Sequence, residues 1–348
     1  MTYVFFYTAL LLAGLISAYR TRVRRVFATG AIILLFVLVA FRFEVGCDWF
    51  GYMLNFESQR YDTLENALLK KDPAFWIASH VLHRLGYEYP YINVLFAIPF
   101  FWGLGHMARR QPDPLGFLIL SFPVLIINMP MSALRQSAAI GFICVAFVAF
   151  QERKLARFII SVLPAGFFHL SALAFLAMAP FVKYKLSRRS IAASAVLVLP
   201  GAFFVFSDLF AIYAERYVDT GVDAAGAIYR SGMLAATALL FFFLLSQPFR
   251  AKFPWEYQLV QIGAWIMLAT FPVVFVSTVI ADRFGYYVTP IQLMILARIP
   301  YLVKGRSAVL LSVSPYAALG VVLLVWTSFS QHFQKCYVPY RTWLSWTY

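Results

Sequence analysis

The chain has 348 residues, of which 62% are hydrophobic and only 13% charged, where a soluble domain carries about 25%. With a mean hydropathy of +0.76, this excludes an ordinary globular domain and describes a polytopic, all-helical membrane protein. The formal net charge of +14 raises nucleic acid as a partner, but the placement of the charges assigns them to topology instead.

In chain order, apolar runs predict about ten spans at 3–19, 26–41, 90–107, 115–130, 132–150, 191–207, 231–246, 257–281, 284–303 and 308–327. The first run, "VFFYTALLLAGLISAY", has no basic stretch before it and four arginines after it, so it is expected to be a retained span. Basic clusters follow every second connection: 20–25, 109–110, 153–157, 183–189, 250–252 and 304–306. Placing these inside gives 17 Lys/Arg against 3 acids and, with Arg298 within a span, leaves 11 Lys/Arg with 12 acids on the other face. This is the positive-inside signature of a polytopic membrane protein, with both termini expected on the outer, non-cytoplasmic side.

Two segments break the pattern. Residues 158–182 have basic clusters at both ends, so a single crossing violates the charge rule. Two half-helices meeting near "PAGFFH", a re-entrant hairpin, satisfy it. With this hairpin the expectation is one transmembrane domain, 1–348, of 12 segments. Residues 72–87, with His80, His83 and Arg84, read as an interfacial helix on the outer side. The outer loops 42–89 and 208–230 are the only sizeable ones, and no internal repeat is visible.

The polar residues that do not serve topology gather at the outer ends of the spans: Arg42, Glu44 and Asp48; Arg135 and Gln136; Arg216; Asp282 and Arg283. Ionisable groups at such depth usually face a cavity or a partner. In "NMPMSALRQSAAIGF", Pro130 suits the first turn of a helix, which puts Arg135 in the second. In "IADRFGYYVTP", Asp282 is expected to cap a helix with Arg283 in its first turn. Two arginine-bearing helix starts suit a diphosphate. The plainer alternatives are snorkelling for Arg135 and a local Asp–Arg pair for Arg283. His169 sits at the break of the hairpin, as a catalyst or a packing residue. His80 and His83 share a helical face, but no third ligand completes a site, so no metal or cofactor is expected. The closing aromatics, "YVPYRTWLSWTY", read as an interfacial belt, though aromatics also stack on sugars. Among three cysteines there is no CxxC. Cys47 and Cys336 fall on one face, but free thiols are favoured over a bridge.

The motifs "RFEVGCDWFGY", "ALRQSAAIGF", "FHLSAL", "DRFGYY" and "YVPY", in this order, resemble the EpsG family of bacterial polysaccharide-assembly proteins, a branch of the Wzy-type polymerases. The resemblance implies joining of undecaprenyl-diphosphate-linked oligosaccharides at the outer face of the bacterial cytoplasmic (inner) membrane, on a fold like that of the lipid-dependent (GT-C type) glycosyltransferases. It also implies partners from the same pathway, a flippase and a chain-length regulator. One departure is Cys47-Asp48-Trp49, where the family more often has a small hydroxyl residue, Asp and Tyr. Carried over, the matching positions are Arg42, Gly46, Asp48, Tyr52, Arg135, Gln136, His169, Ser171, Arg283 and Tyr286. Arg42, Arg135 and Arg283 are candidates for stabilising the diphosphate leaving group. Asp48, then Glu44, are the carboxylates for activating a sugar hydroxyl, with His169 a further candidate. Tyr52, Gln136, Ser171, Arg216, Asp282 and Tyr286 are supporting contacts. The alternatives are a lipid-linked oligosaccharide flippase, a membrane O-acyltransferase with His169 as base, an O-antigen ligase, or a structural subunit.

Overall fold

The computed structural model describes residues 1–18, 20–206, 226–303, 305 and 308–345. Arg216 and most of the expected outer loop 208–230 lie outside the described residues. Helices dominate, and among the described residues the only β-type pairing is an isolated bridge between Arg42 and Thr342. Among the described residues, five helices are long and apolar enough to cross a membrane: Thr21–Ala40, Pro90–Ala108, Leu134–Gln151, Ala227–Lys252 and Ala308–Phe329. The expected spans 3–19, 115–130, 257–281 and 284–303 correspond to helices that are shorter or more polar, and 191–207 to the helix Arg188–Phe206. The chain divides into two compact units. One comprises Met1–Cys144, Pro164–Leu170 and Val313–Tyr348; the other comprises Val145–Leu163 and Ser171–Ser312.

Helix starts in the first unit follow local chemistry. They are α1 (Thr2–Ile16), α2 (Thr21–Ala40), α3 (Trp49–Ser58), α4 (Leu64–Leu69), α5 (Pro73–Arg84), α6 (Pro90–Ala108), α7 (Pro114–Ser121), α8 (Met129–Ser132) and α9 (Leu134–Gln151), of which residues 134–144 belong here. Prolines open α5, α6 and α7, where the missing N–H has no helical partner to lose. Thr63 caps α4 and Asp113 caps α7 through their side-chain oxygens. Asp113 also takes both arms of the Arg24 guanidinium, at 2.6 and 2.5 Å, so one of the arginines of the basic clusters is a structural pair.

Residues 42–89 form a helical layer rather than a loop. Tyr52, Phe56, Phe75, Leu82 and Tyr89 pack with Ile92 and Phe96 of α6 and Leu134 and Ala138 of α9. The 72–87 helix is therefore fixed by an aromatic core on its buried face. The α6 and α9 backbones touch directly. A Cβ on Gly103 would collide with the Gly141 backbone, and one on Gly141 with the Pro99 carbonyl.

The closing segment is a strap, not a belt of free aromatics. Phe43 N–H donates to the Arg341 carbonyl and Trp343 N–H to the Phe41 carbonyl, at 3.0 and 3.1 Å. Thr342 and Tyr340 hydroxyls donate to Phe41 and Leu38 carbonyls. Cys47 and Cys336 are joined by a disulfide, against the expectation of free thiols, because this strap brings two positions 289 residues apart into register. Gly46 N–H donates to the Cys336 carbonyl at 2.7 Å.

In the second unit, helices Ala227–Leu240, Pro254–Val273 and Thr278–Leu302 pack on one another. Gly263 makes room for Ile291 and Gly285 for Leu234. Gln292 donates to the Met233 carbonyl and the Thr237 hydroxyl. Arg298, inside a predicted span, is fully buried against Glu256 at 3.4 Å and over the Phe253 ring. The break between the last two helices falls at 274–277, not at the expected 282–283, because Ser277 supplies the cap, accepting from Ile280 N–H.

Gly141→Ala is expected to lower the Tm of the detergent-purified protein, since overpacking a backbone contact costs about 1–3 kcal/mol. Gly30→Ala, where a Cβ meets nothing within 4 Å, is expected to leave Tm unchanged or raise it. Equal shifts from the two would refute the close α6–α9 approach.

Candidate active site

A single carboxylate gathers the polar residues of the first unit. Asp72 precedes Pro73 at the start of α5, with its backbone in the left-handed region at φ +56°. It is 3% exposed. One oxygen accepts from Leu170 N–H at 2.9 Å. The other meets His169 Nδ1 at 3.0 Å and the Arg135 guanidinium at 3.2 Å. Three segments, far apart in sequence, thus meet on one side chain that lay outside the candidates read from sequence. The signal that points to it is an acid directly before a helix-opening proline.

Each partner is positioned by a break in a helix. Ala133, at ψ 70°, separates α8 from α9. Arg135 is therefore in the first turn of α9, not the second turn of a helix begun at Pro130. Its guanidinium lies 5.7 Å from the Tyr52 ring centre and 5.9 Å from that of Phe75. It also hydrogen-bonds Tyr52. His169 is the one non-helical residue between α10 (Leu155–Phe168) and a 3-10 helix, Leu170–Met178. The helix passes through Pro164 and breaks at the histidine. With Nδ1 on Asp72, the Nε2 edge is left for another group.

Burial alone pushes the Asp72 carboxyl up. The His169 bond and charge, the Leu170 N–H and the Arg135 charge together outweigh it and hold the group below the usual carboxylate range. Asp72 is therefore a carboxylate at neutral pH, and it favours the His169 tautomer with the proton on Nδ1.

The other expected residues divide. Tyr52 and Gln136 are buried within this layer. Asp48 is exposed and lies close enough for its charge to act on the Tyr52 and Tyr89 phenols. Glu44 pairs with Arg341 of the strap at 2.5 Å instead of standing as a second base. Arg42 is 1% exposed and donates to the carbonyls of Val39, Val45 and Met131. These bonds make it a clamp on the 39–45 turn, with the guanidinium turned inward to backbone carbonyls. Gly46 completes that turn: its φ is +107°, and a Cβ there would strike the Met131 carbonyl.

In the second unit, Asp282 does not cap a helix. It lies in the second turn of Thr278–Leu302 and pairs with Arg230 at 2.5 Å. That guanidinium sits over the buried Tyr286 ring at 5.6 Å, and Arg283 is exposed beside it in sequence. Ser171 meets the Tyr287 hydroxyl at 3.2 Å. Arg230 was not among the candidates; nothing near it in sequence marks its partner 52 positions away.

His80 and His83 bond to the carbonyls of Asp62 and Phe56, at 3.1 and 2.8 Å. Cys47, His332 and Cys336 form a cluster of metal-ligand types. With the two sulfurs bonded to each other, neither is a thiolate available to an ion.

Asp72→Asn keeps an acceptor for Leu170 but removes the negative charge opposite the Arg135 guanidinium. Breaking a buried pair this way is expected to cost about 3 kcal/mol. Because the folded carboxyl is held low, its contribution is complete above the ordinary aspartate value of about 3.9 and is lost as pH falls through the lower folded value. Thermal unfolding followed down to about pH 3 should therefore bring the wild type toward the variant; parallel curves would contradict a charged, paired Asp72.

Neither a curated protein nor a solved structure matches the chain. A family model does: that of the EpsG family matches residues 25–342. The match takes in Asp48, Asp72, Arg135, His169, Asp282 and Arg283, that is, both polar groups described above. The chain belongs to the EpsG family, the family of Wzy-type polysaccharide polymerases.

Proposed function

We propose that the protein joins polyprenyl-diphosphate-linked oligosaccharides at the outer face of the cytoplasmic membrane, with the Asp72–His169–Arg135 group at the centre of the chemistry. The observation that carries this reading is the shared carboxylate: one buried Asp72 holds both a histidine and an arginine. Glycosyl transfer from a lipid diphosphate needs two things. The acceptor hydroxyl must lose a proton as its oxygen attacks the anomeric carbon. The breaking carbon–oxygen bond must leave its electron pair on a stabilised diphosphate.

His169, oriented through Nδ1, presents Nε2 as the acceptor for that proton. Asp72 stabilises the imidazolium that results. Arg135, braced against Tyr52 and Phe75, offers donors to the diphosphate. Asp48, in the exposed turn that the strap closes, orients the acceptor sugar, with Tyr52 beside it. This division of roles differs from a carboxylate base: Asp72 has its oxygens occupied, and it acts through the ring.

The test is a purified, detergent-solubilised chain given a synthetic undecaprenyl-diphosphate oligosaccharide, read as a ladder of longer lipid-linked glycans. His169→Gln is expected to slow elongation by about a hundredfold or more, and Arg135→Ala by about the same. Arg135→Lys should recover part of the rate. A full ladder from folded His169→Gln would remove the histidine from the chemistry. Acetylated, unextended glycan in the presence of an acyl donor would favour an acyltransferase.

A further inference from the structure

Three of the basic connections in the second unit, 153–157, 183–189 and 250–252, were read from sequence as topological anchors. The fold brings one cation from each to a single cavity of about 350 Å³: Arg153, Lys185 and Arg250. Aromatic walls support them. Arg153 lies over the Trp255 ring at 5.3 Å and Arg250 over Tyr257 at 5.7 Å, with Phe181 behind. The neighbouring acids are engaged elsewhere. Glu152 is held by Lys154 and Arg157, at 2.9 and 3.1 Å, and Glu256 by Arg298. Three like charges around one hollow repel each other, and an anion seated there relieves this.

The backbone adds an independent sign. The helix Leu134–Gln151 ends with Lys154 N–H on the Ala149 carbonyl and Arg153 N–H on the Phe150 carbonyl. This is the helix ending whose left-handed position is usually glycine. Here it is Arg153, at φ +55°. The chain accepts a strained backbone at the residue whose guanidinium lines the cavity.

We propose that this cavity binds a phosphate group, carried by an anionic lipid headgroup or free in solution. Arginine forks suit phosphate oxygens. Basic pockets among membrane helices on the inner side are suited to phospholipid headgroups, and Trp255, Tyr257 and Phe181 suit the glycerol and first acyl carbons. The site stands apart from the proposed chemistry, in groups and in unit.

The experiment uses the full chain in phosphatidylcholine nanodiscs, with phosphatidylglycerol added in one arm and inorganic phosphate in the other. Tm and the lipids retained in native mass spectrometry are read. Arg153→Gly is the central variant. Glycine suits this helix ending, so Tm in phosphatidylcholine alone should be unchanged or higher. Arg250→Gln and Lys185→Gln are the companions. In the wild type, phosphatidylglycerol is expected to raise Tm by several degrees and to be retained, with both effects lost in Arg153→Gly. A rise with inorganic phosphate alone, equally dependent on Arg153, assigns the site to a soluble anion. No response to either probe, or a response that survives all three substitutions, overturns the proposal.

Discussion

A carboxylate withdrawn from water stays charged only if protein donors replace the water, and the first unit is organised around that requirement at Asp72. Its donors come from the break at His169–Leu170 and from the first turn of α9. Each lies where a helix has been interrupted and a backbone or side-chain donor set free. The helix breaks and the buried charge therefore explain one another. Without the breaks the carboxylate would lack partners, and without the carboxylate the freed groups would be unsatisfied in apolar surroundings. The aromatic layer of Tyr52, Phe56 and Phe75 does the complementary work. It excludes water from one side and gives the Arg135 guanidinium a surface to lie on.

Arg42 shows the opposite use of a buried cation. It has no carboxylate on it among the described residues; its donors are spent on three backbone carbonyls at the end of α2 and beyond. That arrangement fixes a turn and leaves the surface residue Asp48 at a defined place. Two arginines, similar in sequence context, thus divide into one that holds the frame and one that meets an acid at the candidate site.

Much of the frame was legible because it is local. Prolines at 73, 90, 114 and 254, and caps at Thr63, Asp113 and Ser330, mark helix starts within a few residues, whereas Ser277 caps a start expected at Asp282. Arg135 and His169 were legible as polar residues left in apolar runs. What was not legible depends on chain reversal. Asp72 lies 97 positions from His169 and Arg230 lies 52 from Asp282. Cys47 lies 289 from Cys336. Spacing carries no information about such pairs. Local patterns even misled: Asp282 beside Arg283 suggested a helix cap or a local pair, whereas Asp282 turned to Arg230.

The strap also sets an order of events. Residues 41–47 take their backbone partners from residues 336–343, which a ribosome adds nearly three hundred residues later. The turn carrying Asp48 thus stays unclosed while the intervening helices are made and inserted. Closure then requires that the late segment emerge on the same side of the membrane as the early one. A chain inserted with one helix too few would present its strap to the wrong compartment, leaving the turn open and Cys47 a thiol. The disulfide is in this sense a record that the whole topology was completed correctly.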